Sequence, residues 1–134
     1  MAMFCVLVIT LLNTLQPPVY EWVIREVDEP VHRLQGTTLF HEPLPEVEIT
    51  VYDSPDVILR PSLNSEEMRS KQRVLQKLVS DKRGRFKVKR LPPGRYELYF
   101  KKEGWNPLSL IVTVVPNSQR IKKDHLEVEL PIGG

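Results

Sequence analysis

The sequence predicts an all-β domain, a small antiparallel β-sandwich of about seven strands with a short helical insert near residues 64–72. Three observations favour this fold class. From residue 31 onward, short apolar runs alternate with polar residues, which is typical of strands that bury one face. Turn residues separate these runs at intervals of about ten residues, as a small sandwich requires. Twelve prolines against six glycines disfavour long helices, because proline interrupts a helix interior.

The composition fits one folded domain. The chain has 134 residues, of which 41% are hydrophobic and 27% are charged, and these ordinary values argue against global disorder. The net charge of +2 gives no strong preference for nucleic acid or membrane surfaces. The one cysteine, Cys5, excludes an intramolecular disulfide and a cysteine-rich metal site.

The first element is an apolar N-terminal segment, residues 1–16. Its residues 2–12 are apolar except for Thr10, a length that matches the hydrophobic region of a secretory signal peptide and is short for a membrane span. No Lys or Arg precedes the run and no small-residue cleavage site follows it, and its β-branched residues also fit a first buried strand. We expect a signal peptide or anchor, and therefore a secreted, periplasmic or cell-envelope location. Residues 17–30 then form a linker or docking segment that contains Trp22.

The sandwich domain is predicted over residues 31–131. The first strand covers residues 31–40, and the second covers residues 47–54. A polar excursion follows, in which Asn64 and Glu67 have the spacing of a capping box and predict the short helical insert. Strand character resumes at residues 73–80, 85–90, 95–102, 108–115 and 125–131. Alternation points these side chains inward: Val47, Ile49, Val51, Phe86, Val88, Tyr96, Leu98, Phe100, Leu126, Val128 and Leu130.

The stretch LPPG, residues 91–94, admits two interpretations. A proline-recognition motif needs an exposed polyproline segment, usually with a PxxP pattern, whereas only Pro92 and Pro93 are adjacent here. A type II turn fits better, because it places Pro93 at the second position and Gly94 at the third, where φ is positive. The other predicted structural turn positions are Asp81, Gly84 and Gly104.

Taken in sequence order, these motifs resemble the carboxypeptidase regulatory-like domain. The matching residues are Pro43, Leu44, Pro45, Val47, Asp81, Gly84, Phe86, Leu91, Pro92, Pro93, Gly94, Tyr96, Gly104 and Trp105. The resemblance covers about residues 31–131 and implies a transthyretin-like, prealbumin-like β-sandwich with an immunoglobulin-like Greek key. Glu46 replaces the glycine expected after Pro45, and Ser80 replaces the usual threonine before Asp81. Domains of this family are typically non-catalytic accessory, binding or scaffolding modules, often in exported or envelope proteins.

No constellation of residues indicates an enzyme. His32, His41 and His125 are the only histidines, and no H-x-x-E pair is present, so the zinc-peptidase chemistry found beside such domains has no support. The chain ends LPIGG, without the Tyr-Arg-Gly-Ser motif of transthyretin-like hydrolases, and it has no phosphate-binding glycine loop. We therefore expect no catalytic residues, no metal, no cofactor and no small-molecule substrate.

Charge is distributed unevenly along the chain. Residues 81–102 hold nine Lys or Arg against two acids, a net charge of +7, so the rest of the chain is net negative. Alternation and strand neighbourhood predict that six outward side chains gather into one basic patch: Arg85, Lys87, Lys89, Arg95, Tyr99 and Lys101. Such a charge run is either a solvated face that discourages edge-to-edge pairing or a docking surface for an anionic partner.

These observations predict a non-catalytic secreted or envelope-associated binding or structural module. We expect its basic face to bind an anionic polysaccharide or another envelope protein. Nucleic acid is not an expected partner, because the chain is near neutral and lacks a nucleic-acid fold signature. The alternative is a protein–protein assembly subunit that uses a sheet edge or a tryptophan-containing surface at Trp22 or Trp105.

Overall fold

The computed structural model describes residues 23–53, 55 and 69–131. Over these residues the fold is all-β, as predicted, and consists of two sheets. Its nine strands are β1 (Val23–Glu26), β2 (Gln35–Phe40), β3 (Glu42–Pro43), β4 (Glu48–Tyr52), β5 (Val74–Val79), β6 (Arg85–Lys87), β7 (Gly94–Lys101), β8 (Leu108–Val114) and β9 (Leu126–Glu129). The apolar segment 1–16 and the start of the segment 17–30 lie outside the described residues.

The five-stranded sheet has the order β1-β8-β7-β4-β5. Strand β7 lies at its centre and pairs antiparallel with β4 and β8, while β5 pairs antiparallel with β4 at one edge. At the other edge β1 pairs parallel with β8, so part of the segment interpreted as a linker is a strand.

The four-stranded sheet is built around β2. Strands β3 and β6 pair antiparallel with β2, and β9 pairs parallel with it. Gly36 permits the close approach of β9, because a Cβ there would lie 2.0 Å from the Leu126 carbonyl oxygen.

Both sheets are therefore mixed, and the prediction of a purely antiparallel sandwich is wrong. Alternation along a strand shows which face is buried but does not show the direction of the neighbouring strand. Two parallel neighbours need a long connection between them. That connection is present in both pairs, because β1 lies far from β8 in the sequence and β2 lies far from β9.

One hydrophobic core lies between the two sheets. All eleven side chains predicted to point inward are buried, and Val47, Val51, Val88, Leu98 and Phe100 have no exposed surface. The Phe86 and Phe100 rings bring the two sheets together in an edge-to-face contact with centroids 5.5 Å apart. Leucine and valine side chains from β8 and β9 complete the core.

The LPPG stretch carries the chain from one sheet to the other. Strand β6 before it pairs with β2, whereas β7 after it pairs with β4 and β8. The predicted type II turn is not formed, because Gly94 opens strand β7 and the described glycines with positive φ are Gly84 and Gly104. The crossing is held instead by the Tyr96 hydroxyl, which donates a hydrogen bond of 2.5 Å to the Pro92 carbonyl, as in the tyrosine corner of β-sandwiches.

Most of the predicted helical insert near residues 64–72 lies outside the described part, which omits residues 64–68. Among the described residues of this range, only 69 and 70 are helical, and they lead at once into a turn. That turn is closed by a hydrogen bond of 3.1 Å from the Gln72 N–H to the Arg69 carbonyl. Among the described residues, no helix is long and apolar enough to cross a membrane.

Candidate functional site

The residues of the predicted basic patch are divided between the two sheets. Arg85 and Lys87 lie on β6 in the four-stranded sheet, and Lys89 follows that strand. Arg95, Tyr99 and Lys101 lie on β7 in the five-stranded sheet. The single patch is not formed, because the LPPG crossing places consecutive strands in different layers.

Each arginine of this set has an acidic neighbour. The Arg85 Nε lies 3.4 Å from the Asp81 carboxylate, and the Arg95 Nη2 lies 2.8 Å from the Glu26 carboxylate. Exposed ion pairs of this kind contribute little to stability, about 0–1 kcal/mol, and leave the charges accessible to a partner. Lys87 and Lys101 are exposed.

A shallow cavity of about 380 Å³ lies on the outer face of the four-stranded sheet. Its floor is formed where β2 and β6 pair, with Gln35 opposite Lys87 and with Arg85 two residues before Lys87 on β6. The remaining lining residues include Gly36, Asp81, Phe86 and His125.

The polar groups around this cavity are mostly hydrogen-bond donors. The lining residues Arg85 and Lys87 carry a guanidinium and an ammonium group, whereas the Gln35 amide donates to the Asp124 carbonyl at 2.9 Å. The His125 Nε2 lies 3.0 Å from the Thr37 hydroxyl. Donors in this number suit a carboxylate, sulfate or phosphate group.

Asp81 introduces a negative charge at the rim of the cavity. Its carboxylate accepts hydrogen bonds from the Arg85 N–H at 2.8 Å and the Arg83 N–H at 2.9 Å. The hydrogen bond from the Arg85 N–H is the main cause that lowers the pKa of Asp81, and it outweighs the opposing effect of desolvation. Asp81 therefore shapes the turn before β6 and partly offsets the positive charge of the cavity.

A second polar cluster, which alternation did not predict, lies on the outer face of the five-stranded sheet. Glu97 on β7 has no exposed surface, although its position in the alternation placed it among solvent-facing charges. Beside it on β8, Ser109 and Ile111 are also buried. The sequence carries one signal that this outer face is buried. Residues 108–115 form an almost continuous apolar run, which is typical of a strand buried on both faces.

The Glu97 carboxylate is fully hydrogen-bonded. Its Oε1 accepts hydrogen bonds from Arg69 Nη1 at 2.6 Å and Gln72 Nε2 at 2.8 Å, and its Oε2 accepts one from the Ser109 hydroxyl at 2.5 Å. The Arg69 guanidinium also lies over two tyrosine rings, 4.2 Å from the Tyr52 centroid and 4.7 Å from the Tyr99 centroid. Such an arrangement satisfies a buried charge by pairing, hydrogen bonding and cation–π contact together.

The remaining candidate residues have structural contacts. The His32 ring nitrogen lies 2.7 Å from the Gln119 carbonyl oxygen, and His41 has a φ of 63° beside the Phe40 ring. Trp105 is half-buried against the core and meets Phe40 edge-on with centroids 5.9 Å apart. No group of three potential metal ligands is present in the described ranges. Trp22 lies outside these ranges.

Comparisons with known proteins give a structural similarity but no family. No family model matches the chain, and no curated protein matches it. Among solved structures it is similar to the 3-chlorocatechol 1,2-dioxygenase of Rhodococcus opacus 1CP, with 14% identity and a TM-score of 0.46. The match covers 86% of this chain and spans 66% of the length of the dioxygenase chain.

This comparison corrects one prediction from the sequence. The expectation that the chain is not an enzyme is contradicted, because a similar solved structure is that of an enzyme. At this TM-score the likeness carries no argument for a particular reaction, and we propose none.

Proposed function

We propose that the chain is a binding module that holds an anionic glycan or an acidic protein segment on the outer face of its four-stranded sheet. The observation that carries the proposal is the cavity lined by the two cationic residues Arg85 and Lys87 beside His125. Arg85 and Lys87 are two residues apart on one strand, so their cationic groups point to the same side of the sheet. A repeating anionic polymer has charged groups that can meet both cations and extend beyond the cavity.

The division of the basic residues between two sheets supplies a matched test. The pair Arg85 and Lys87 lines the cavity, whereas the pair Arg95 and Lys101 lies on the other sheet. Each pair contains one arginine with an acidic neighbour and one exposed lysine. The double variants R85Q/K87Q and R95Q/K101Q therefore remove the same net charge from different faces.

Retention on an immobilised sulfated polysaccharide distinguishes these faces. We expect R85Q/K87Q to elute at much lower salt than the unmodified protein, and R95Q/K101Q to elute close to it. Thermal unfolding of both variants shows whether each is folded. Equal losses of retention in two folded variants would show that net charge, and not the cavity, governs binding.

The cellular setting is part of the same proposal. The motif resemblance to carboxypeptidase regulatory-like domains supports a prealbumin-like Greek-key module, and the apolar segment 1–16 supports a secreted or envelope-associated protein. N-terminal sequencing of the mature protein from fractionated cells tests the location. An uncleaved protein recovered from the cytosol would contradict it.

A second candidate function is assembly through a sheet edge. Strand β5 forms an edge of the five-stranded sheet, and its Val74 and Val79 side chains are 44% and 58% exposed. Open edges of this kind pair with other strands, and a second copy of β5 is the simplest partner. Sedimentation across a concentration series should show self-association that V79K abolishes. A chain that stays monomeric at every concentration would exclude this mode.

A further inference from the structure

We propose that Tyr52, Glu97 and Tyr99 form a binding site for the guanidinium group of arginine, and that Arg69 is its intramolecular occupant. The inference is independent of the anion-binding face, because the three residues lie on the other sheet. It rests on the register of the strands, the contacts of Arg69 and the exposure of its side chain.

Strand pairing alone places the three site residues together. Tyr52 on β4 lies opposite Glu97 on β7, so their side chains share one face of the sheet. Tyr99 is two residues from Glu97 on the same strand and therefore points to the same face. The sheet thus builds a carboxylate between two aromatic rings without any contribution from Arg69.

The polar groups around the site are arranged to hold a cation. Both Glu97 Oε1 and Gln72 Oε1 accept from the same Arg69 nitrogen, Nη1, at 2.6 Å and 2.9 Å. The Ser109 hydroxyl and the Gln72 amide donate to the carboxylate and hold it in place. Two tyrosine rings that contact one guanidinium carbon favour arginine over lysine, because a planar guanidinium stacks on aromatic faces and is less strongly hydrated than an ammonium group.

The Arg69 side chain is partly exposed to solvent, although the Glu97 carboxylate is not. The Arg69 side chain is 24% exposed, whereas that of Glu97 has no exposed surface. The site therefore opens outward past Arg69, and removal of this side chain leaves an entrance to a buried carboxylate. A free guanidinium compound of arginine size fits the chemistry of the vacated space.

The test uses the variant R69A and two amino acids whose termini are blocked and uncharged, acetyl-arginine amide and acetyl-citrulline amide. Citrulline has the length and planarity of arginine without its charge. We expect millimolar acetyl-arginine amide to raise the Tm of R69A, and acetyl-citrulline amide to leave it unchanged. The unmodified protein should respond to neither, because a tethered side chain has an effective concentration of about millimolar or higher.

The double variant R69A/E97Q is the matched control, because it retains the rings and the cavity but lacks the carboxylate. Its Tm should respond to neither the arginine compound nor the citrulline compound. If R69A is unfolded at the assay temperature, recovery of its far-ultraviolet circular dichroism by the arginine compound replaces the Tm shift. Equal responses of R69A to arginine and citrulline, or an arginine response that persists in R69A/E97Q, would overturn the proposal.

Discussion

The buried ion pair between Glu97 and Arg69 predicts a strong energetic coupling between two residues far apart in sequence. Glu97 has no exposed surface, so the variant R69M leaves a fully buried carboxylate without its cationic partner. Removal of one partner of a buried pair destabilises a protein by about 3–5 kcal/mol. We expect R69M to lie in that range.

The reverse substitution, E97M, should be less severe. Arg69 is 24% exposed and keeps its hydrogen bond to Gln72, so part of the guanidinium remains solvated and partnered. We expect a loss of about 2–4 kcal/mol for E97M. The double variant R69M/E97M replaces the pair by apolar side chains, and such replacements are often close to neutral, so we expect a loss of about 0–2 kcal/mol.

Urea unfolding of the four proteins measures this cycle. The summed losses of the two single variants should exceed the loss of the double variant by a coupling energy of about 3 kcal/mol or more. For a domain of about 100 residues each kcal/mol corresponds to a Tm shift of about 4–8 °C, so thermal unfolding gives a second measure. Additive losses in the double variant would refute the reasoning, because they would show that the two charges do not stabilise each other.

Three further predictions concern the turns. E46G should stabilise the protein by about 1 kcal/mol in urea unfolding, because Glu46 has a φ of 57° that glycine adopts without strain, whereas E48G in strand β4 should destabilise it. Y96F should lower the free energy of unfolding by about 1 kcal/mol, because it loses the hydrogen bond to Pro92. Burial raises the pKa of Tyr96, so its stabilisation is present below pH 10.0 and is lost as the pH rises through the folded-state pKa, an alkaline loss that Y96F should lack. The pKa of Asp81 is lowered, so its stabilisation is present above its unfolded-state value near 3.8 and is lost as the pH falls through the folded-state pKa; the acid side of a Tm–pH profile should flatten in D81N.

Each of these has an outcome that contradicts it. A destabilised E46G would show that the glutamate side chain has contacts worth more than the backbone strain. Identical alkaline profiles for Y96F and the unmodified protein would remove Tyr96 as the titrating group. An unchanged acid slope in D81N would assign that slope to other carboxylates.

The inward faces of the strands follow directly from the sequence. A strand has a period of two, so each apolar residue of the runs at Val47, Phe86, Tyr96 and Leu126 specifies its own side of the sheet without knowledge of its neighbours. The LPPG stretch agrees less well: it separates two strands as predicted, but it carries the chain from one sheet to the other, and its hydrogen bond comes from Tyr96 and not from a type II turn.

The features that the sequence did not predict depend on long-range placement. Whether β6 and β7 lie in one sheet depends on partners elsewhere in the chain, namely β2 and β4, and local alternation contains no information about them. The burial of Glu97 depends in the same way on Arg69, which approaches from a separate segment. The prediction of a single basic patch was wrong because it assumed that β6 and β7 lie in one sheet. The cluster around Glu97 was not predicted because Arg69 comes from a separate segment.

The two parallel edge pairings also set the order in which the protein can be completed during synthesis. Strand β1 can pair only after β8 has been made, since Val23 lies opposite Leu108. In the same way, Gly36 on β2 can pair with Leu126 only after β9 has been made. Because closing such long loops precedes the gain from the contacts, folding should be slow for a domain of this size, on a timescale of about milliseconds to seconds. A nascent chain that stops before β9 leaves one edge of β2 uncovered, so the four-stranded sheet is completed only after β9 has been made.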